Sequence, residues 1–281
     1  AAKDVLGKVI PKKKRGNISG LAASIAGFAT LTFGLMMWFF SGQKEQNTVL
    51  IALCLGAVLW VVAALFYSRI NEYKGATQGG KNGFLNALSK LKLLYQDKQF
   101  AHFVITRAFL LCSALSAPFY IILASSQQFE FSLLAVFLAV SGLASLISGP
   151  IWGRLSDFSS QKVLVISALL VTINGVSVFV IATWYSQLFE YAWVIPGFYF
   201  LLCIAHQGVR LGRKTYLVDM AQGNKRTDYV SVSNTVIGIL LLMLGSIGLL
   251  EAFLSTAQLI LLYSLLGLLG AISAIFLPQA E

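Results

Sequence analysis

Residues 15–34, RGNISGLAASIAGFATLTFG, and residues 226–245, RTDYVSVSNTVIGILLLMLG, are two versions of one design separated by a constant spacing. Lys3, Leu6, Lys14, Arg15, Ile25, Gly27 and Gly34 face Lys214, Leu217, Lys225, Arg226, Val236, Gly238 and Gly245 without a gap. Each copy is a basic loop that runs into an apolar stretch with glycines seven apart. Recurrence over so long a distance marks a duplicated multi-helix unit, as in membrane proteins built from parallel repeats.

Composition assigns the chain to the membrane independently of the repeat. Hydrophobic residues make up 57% and charged residues 11%, where a soluble domain carries about 25% charged. Mean hydropathy is +0.78. Apolar stretches near 19–40, 48–67, 101–124, 132–151, 162–183, 192–209, 229–250 and 256–277 each approach the roughly 20 residues that a spanning helix needs. They do not alternate in the units of about ten residues typical of a membrane barrel. The predicted fold is therefore all-α, a polytopic membrane helix bundle with eight transmembrane helices.

Charge then orients the bundle. Apart from Arg107, within a span, and Lys44, every Lys and Arg falls in the N-terminal segment or the loops on that same side; the opposite loops carry Glu45, Glu130, Glu190 and Glu251. This positive-inside bias predicts a multi-pass protein of the plasma membrane, in a bacterium the inner membrane, with both termini cytoplasmic. The formal charge of +10 thus reflects topology and contact with anionic lipid of the bilayer, and no nucleic-acid partner is expected, because the basic residues sit in short loops between spans. Cys54, Cys112 and Cys203 lie in predicted spans without metal-like spacing, and His102 and His206 form no cluster, so neither a metal nor another cofactor is expected.

Six predicted helices separate position 15 from position 226, so the repeated unit has six. The chain divides into residues 1–68, the last two helices of an N-terminal half; 69–100, a central cytoplasmic loop; and 101–281, a C-terminal six-helix half. It opens Ala1-Ala2-Lys3-Asp4, with neither Met nor a signal peptide, and the expectation is that four N-terminal helices mirroring 101–209 belong to the same protein. In the central loop, Asn71 to Gly83 is rich in glycine and polar residues, whereas Phe84, Leu85, Leu88, Leu91 and Leu94 recur at helical spacing among Lys81, Lys90, Lys92 and Lys98. Two readings stand: a basic helix on the cytoplasmic leaflet, or a loop helix packed against the bundle.

The most specific local motif is Gly149-Pro150-Ile151-Trp152-Gly153-Arg154-Leu155-Ser156-Asp157, followed by Lys162. Glycine and proline here predict a tight exit from the fourth span. Asp157 is suited to accept from backbone N–H groups at a helix start, and Arg154 to pair with a carboxylate. Gly153-Arg154-Leu155-Ser156-Asp157 resembles the G-x-L-x-D signature between the second and third helices of each half of major facilitator superfamily transporters. It stands after the second helix of the six-helix unit, as that family has it; the continuation Phe158-Ser159-Ser160-Gln161-Lys162 keeps one base where the family often has a Gly-Arg-Arg or Gly-Arg-Lys run. The resemblance covers the chain by topology and about ten residues by motif. It implies a secondary active transporter that moves a small solute, with or without a coupling ion, by rocker-switch alternating access. Gly153, Arg154, Leu155 and Asp157 become a cytoplasmic gating motif, with Asp157 near Asn17 to Gly20 of the first span. The competing reading of Asp157 is a plain loop cap.

Arg210, Arg213 and Lys214 stand before the seventh span, near Asp219 and Asp228. They read either as charge contacts of a closed cytoplasmic side or as topogenic charge. Arg107 lies about 9 Å into its helix; it snorkels to the interface, forms a structural pair, or meets an anionic solute or gate. By the same resemblance its helix lines the central cavity, which offers Ser113, Ser116 and Tyr120 beside Tyr199 and Cys203 of the sixth span. No predicted span holds an interior Asp or Glu, so a proton-coupling carboxylate would belong to the absent helices. The cavity leans toward uncharged, amphipathic or anionic solutes. No Ser–His–Asp set, HExxH pair or phosphate loop supports an enzyme. A non-transporting sensor or scaffold of the same fold is the alternative function.

Overall fold

The computed structural model of the chain describes residues 7, 9–39, 45–70, 90–125, 133–221 and 225–279. Among the described residues there is no strand. The helices are α1 (Arg15–Phe39), α2 (Glu45–Ser68), α3 (Lys98–Phe109), α4 (Cys112–Leu115), α5 (Ala117–Ser125), α6 (Leu133–Phe158), α7 (Ser160–Trp184), α8 (Val194–Met220), α9 (Lys225–Gly245) and α10 (Thr256–Ile275). The fold is an all-α polytopic bundle. α3, α4 and α5 succeed one another as a single broken span, Lys98–Ser125. Lys3, Leu6 and the stretch from Asn71 to Leu88 of the central loop lie outside the described residues. Leu91 and Leu94 pack against the core beside α3, as a loop helix held to the bundle would.

Six helices, not eight, are long and apolar enough to cross a membrane among the described residues. The two others, α2 with 24 residues and α9 with 21, have the length of a span; α9 opens on the charged Arg226 and Asp228 before its apolar run.

Local chemistry explains several boundaries. Asp97 caps α3 by accepting from the Phe100 N–H, and Ser159 caps α7 by accepting from the Lys162 N–H. Ser255 and Gln258 form a reciprocal capping box at the start of α10. Trp184, Tyr185, Tyr191 and Trp193 stand exposed around the α7–α8 connection, where amphipathic rings mark a membrane–water boundary.

The expected exit at Gly149-Pro150 is a correction. α6 runs straight through both residues, with Pro150 inside it, and ends at Phe158. Proline lacks the N–H that would bond the carbonyl four residues back, here Leu146. The Ser24 hydroxyl of α1 lies 3.0 Å from that Leu146 oxygen and satisfies it from the neighbouring helix. A freed carbonyl in an apolar surrounding would otherwise cost several kcal/mol, roughly the price of an unsatisfied group in lipid.

The glycines serve helix approach. α1 and α6 lie antiparallel, with Gly16 against Gly153, Gly20 against Gly149, and Gly27 against Gly142. A Cβ on Gly20 would lie 2.2 Å from the Gly149 oxygen, and one on Gly142 2.3 Å from the Leu31 nitrogen. Without side chains between them the two backbones pack directly, the way membrane helices associate when burial from water offers no drive. Gly238, the repeat counterpart of Gly27, has nothing within 4 Å of a built Cβ.

Replacing Gly by Ala inside a helix gains about 0.5–1 kcal/mol from backbone entropy where space permits. Gly56→Ala, whose Cβ meets nothing within 4 Å, should therefore be neutral or slightly stabilising. Gly20→Ala should instead lose about 1–3 kcal/mol by overpacking. Thermal unfolding of the two variants in matched detergent checks this, and equal melting temperatures would remove the backbone-contact account.

Candidate functional site

Two sites emerge, one at the basic end of the bundle and one inside it. At the basic end, the Asp157 carboxylate on the last turn of α6 accepts from the Gly16 N–H at 2.6 Å and the Asn17 N–H at 2.8 Å. These belong to the first turn of α1, whose N–H groups have no partners within the helix. The first turn of α1 holds no acidic residue, so Asp157 supplies the negative charge that a helix N-terminus favours. The motif residues divide the work. Gly153 admits the α1 backbone, and Leu155 packs beside Trp152, Val163 and Leu211. Arg154 is exposed and makes no ion pair among the described residues.

Arg15, only 9% exposed, extends the contact. Its Nη1 donates to Asp219 Oδ1 at 2.7 Å, its Nε to the Ile10 carbonyl at 3.0 Å, and its Nη2 to the Gly7 carbonyl at 2.8 Å. Lys214 donates to the Ser19 hydroxyl at 3.2 Å. The expected pairing of Arg210, Arg213 and Lys214 with Asp219 and Asp228 is therefore corrected. Asp219 belongs to Arg15, and Asp228 pairs with Lys90 at 2.6 Å. The reason is the length of α8. It continues past the predicted end at Val209 to Met220, which carries Asp219 out to the start of α1 and keeps Arg210 well within the helix.

The second site is a cavity of about 370 Å³ between α1, the α4–α5 region, α6 and α8, within the size range of small-molecule pockets. α8 supplies Tyr199, Cys203, His206, Gln207 and Arg210; α6 supplies Ser141 and Ser145; Thr30 and Ser113 complete the polar lining. The Ser113 hydroxyl lies 3.0 Å from His206 Nδ1 and 3.0 Å from the Leu110 carbonyl.

Of the expected lining residues, Ser113, Tyr199 and Cys203 reach this cavity, while Arg107, Ser116 and Tyr120 lie elsewhere. Arg107 is buried against α9, where it donates to Ser233 Oγ and, at 3.0 Å, to Asn234 Oδ1. The Tyr120 hydroxyl accepts from Asn174 Nδ2 at 2.9 Å, deep in the core. Ser116 is buried at the break between α4 and α5. A continuous helix would hold Ser113, Ser116 and Tyr120 on one stripe. The interruptions at Leu110–Leu111 and Ser116 split that stripe.

Sequence reading missed His206 and Gln207 and assigned Arg210 to the loop. The signal was present: Tyr199, Cys203, His206 and Arg210 recur at i, i+4, i+7 and i+11, one face of a helix. It was hidden because the apolar run stops at Val209 while the helix does not.

No curated protein matches the chain significantly. The family model of the Major Facilitator Superfamily matches residues 2–246, a span that includes the Asp157 contact, Arg15 with Asp219, and the whole cavity stripe of α8. A polytopic apolar bundle so covered is a multi-pass membrane protein of the transporter class, and the chain belongs to the Major Facilitator Superfamily.

Proposed function

We propose that the chain is a secondary active transporter that carries a small solute, with or without a coupling ion, across the membrane by alternating access. The basic end is the cytoplasmic side, by the positive-inside bias; for a bacterial chain the membrane is the inner one. Residues 1–68 belong to one half, 101–281 form the other, and 69–100 join them. The conformation described is the one closed at the cytoplasmic end, with Gly153, Leu155 and Asp157 as the gating turn.

The observation that carries this reading is the Asp157 carboxylate on the Gly16 and Asn17 N–H groups. It caps a helix of one half with an acid from the other. Hydrogen bonds to a charged group contribute about 1.5–3 kcal/mol each. Opening lets water reach the freed carboxylate and the freed N–H groups, so the net bias is smaller than the sum. A bias of a few kcal/mol suits a gate, because a state disfavoured by that much stays populated at the level of 0.1–10%. Arg15 with Asp219 adds a second contact of the same kind.

Asp157→Ala should raise labelling of a Ser19→Cys reporter at the α1 interface by a membrane-impermeant maleimide roughly tenfold, about 1.4 kcal/mol. The same variant should lower labelling of a cavity Ser145→Cys reporter from the opposite face. Linked, opposite changes are what alternating access requires. A rise at Ser19 with no fall at Ser145 would describe loosening alone and defeat the transporter reading.

The ion pair yields a separate test. Arg15→Asp and Asp219→Arg should each open the Ser19 reporter, since each places like charges together. The exchanged double variant should recover part of the closure; its recovery is incomplete because Arg15 also holds the Ile10 and Gly7 carbonyls. A double variant as open as the singles would show that the pair does not hold the gate.

A further inference from the structure

We propose that the cavity takes a small organic anion, its charged group held by Arg210 and its body lying along α8 toward Tyr199. This deepens the transport reading and rests on it for the role of the cavity as a solute path.

The described carboxylates are engaged away from the cavity or stand in the connections. Asp157 is spent on α1, Asp219 on Arg15, Asp228 on Lys90, and Asp97 on the Phe100 N–H and the Tyr229 hydroxyl. Glu190 and Glu251 stand exposed in the connections next to α7–α8 and α9–α10. None of these lines the cavity.

Among the described residues, Arg210 is the one charged residue of the cavity lining, and neither it nor the cations near it is matched by any of these acids. Arg107 is held by the neutral groups of Ser233 and Asn234, and Lys214 by Ser19. Among the described residues, Arg210 and Arg213 have neither a hydrogen bond nor an ion pair. Arg210 lies within electrostatic reach of Arg213 and Lys214, and Arg213 within reach of Arg107. Arg210 is an exposed residue of the lining, with Arg213 and Lys214 half-buried near it; like charges so gathered repel one another, and an anion at Arg210 relieves that repulsion. A cationic solute would add to the repulsion.

Topogenic charge does not account for Arg210. α8 has 27 residues, about 40 Å of helix against roughly 30 Å of hydrocarbon. Arg210 precedes the end of α8 by about 15 Å. Even if all the excess length projects at the basic end, Arg210 stays at hydrocarbon depth, on the cavity wall.

Position then suggests the shape of the solute. His206 and Gln207 lie one turn from Arg210 and offer neutral polar contacts; Tyr199 and Leu202 lie beyond them. At about 30 Å³ per water, the cavity has room for roughly a dozen waters, hence for a compact anion with a short uncharged body.

Cys203 lies on this wall, between Tyr199 and Arg210, and reports the charge preference without knowledge of the solute. The full chain in detergent, open to reagent at both ends, is treated with 2-sulfonatoethyl methanethiosulfonate or with its trimethylammonioethyl counterpart. Modification at Cys203 is followed by peptide mass spectrometry, and each rate is divided by that reagent's rate with 2-mercaptoethanol. The ratio of the two cancels the reactivity of the thiol itself.

The sulfonate should react faster by roughly tenfold. Arg210→Gln should bring the ratio to within about twofold, and Arg210→Lys should retain most of the preference. Equal or reversed rates, an unchanged ratio in Arg210→Gln, or no reaction of Cys203 with either reagent would each overturn the proposal, the last because such a cavity admits no small solute. These rates involve no transport. A failed preference with linked reporter changes intact removes the anion alone, and the converse removes the transport reading alone.

Discussion

The contact on which the basic end depends is a helix cap supplied from elsewhere in the chain. α1 starts behind Lys12, Lys13 and Lys14 and opens with Arg15. No side chain in that run can accept from the first-turn N–H groups, and four positive charges lie at the end of the helix where the dipole is already positive. Left alone, this would be a poor helix start. Asp157 corrects it from α6, across 141 residues of sequence to Gly16. The sequence before α1 is thus unfavourable locally and favourable only in the assembled bundle. A helix whose start is completed by another element registers whether that element is in place.

The seam between α1 and α6 makes this dependence selective. Glycines at 16, 20 and 27 meet glycines at 153, 149 and 142, so the gaps on one helix reproduce those on the other in reverse. Contact there is backbone on backbone, with few side chains to interlock. Such a surface resists separation, since nothing larger fits, yet presents few rotamer barriers to rolling or sliding. Pro150 and Ser24 add a directional element. The carbonyl that proline leaves free at Leu146 can be satisfied only while Ser24 stands opposite it. Packing fixes how closely the helices approach, and this hydrogen bond fixes their register.

How much of this was legible follows from what each signal measures. Apolar runs record how much of a helix avoids water, and they located every long helix. They do not record where a helix ends once it leaves the apolar layer, which is why α8 was cut at Val209 and its cavity stripe went unread. Periodicity assumes unbroken phase, so the interruptions in the third span scattered Ser113, Ser116 and Tyr120. Gly149-Pro150 was read by its usual local effect, and the tertiary partner Ser24 overrode it. The meeting of Asp157 with the start of α1 came from the motif and its resemblance, because no local pattern pairs residues so far apart. The choice of Arg15 for Asp219 had a faint trace in the repeat. Arg15 and Arg226 hold equivalent positions and are both buried, at 9% and 7%, which a merely topogenic charge would not need to be.

The charges at this end fall into two populations with opposite fates. The acids are consumed in contacts that tie elements together: Asp157 to α1, Asp219 to Arg15, Asp228 to Lys90. Among the bases, Arg210 lines the cavity and Arg213 lies within its electrostatic reach. α8 carries members of both, with Arg210 on the wall and Asp219 about two and a half turns further on at the seam. Arg210 and Asp219 thus belong to one 27-residue helix, so a displacement of α8 as a body moves the cavity wall and the Arg15 contact together, with no relay of side chains needed between them.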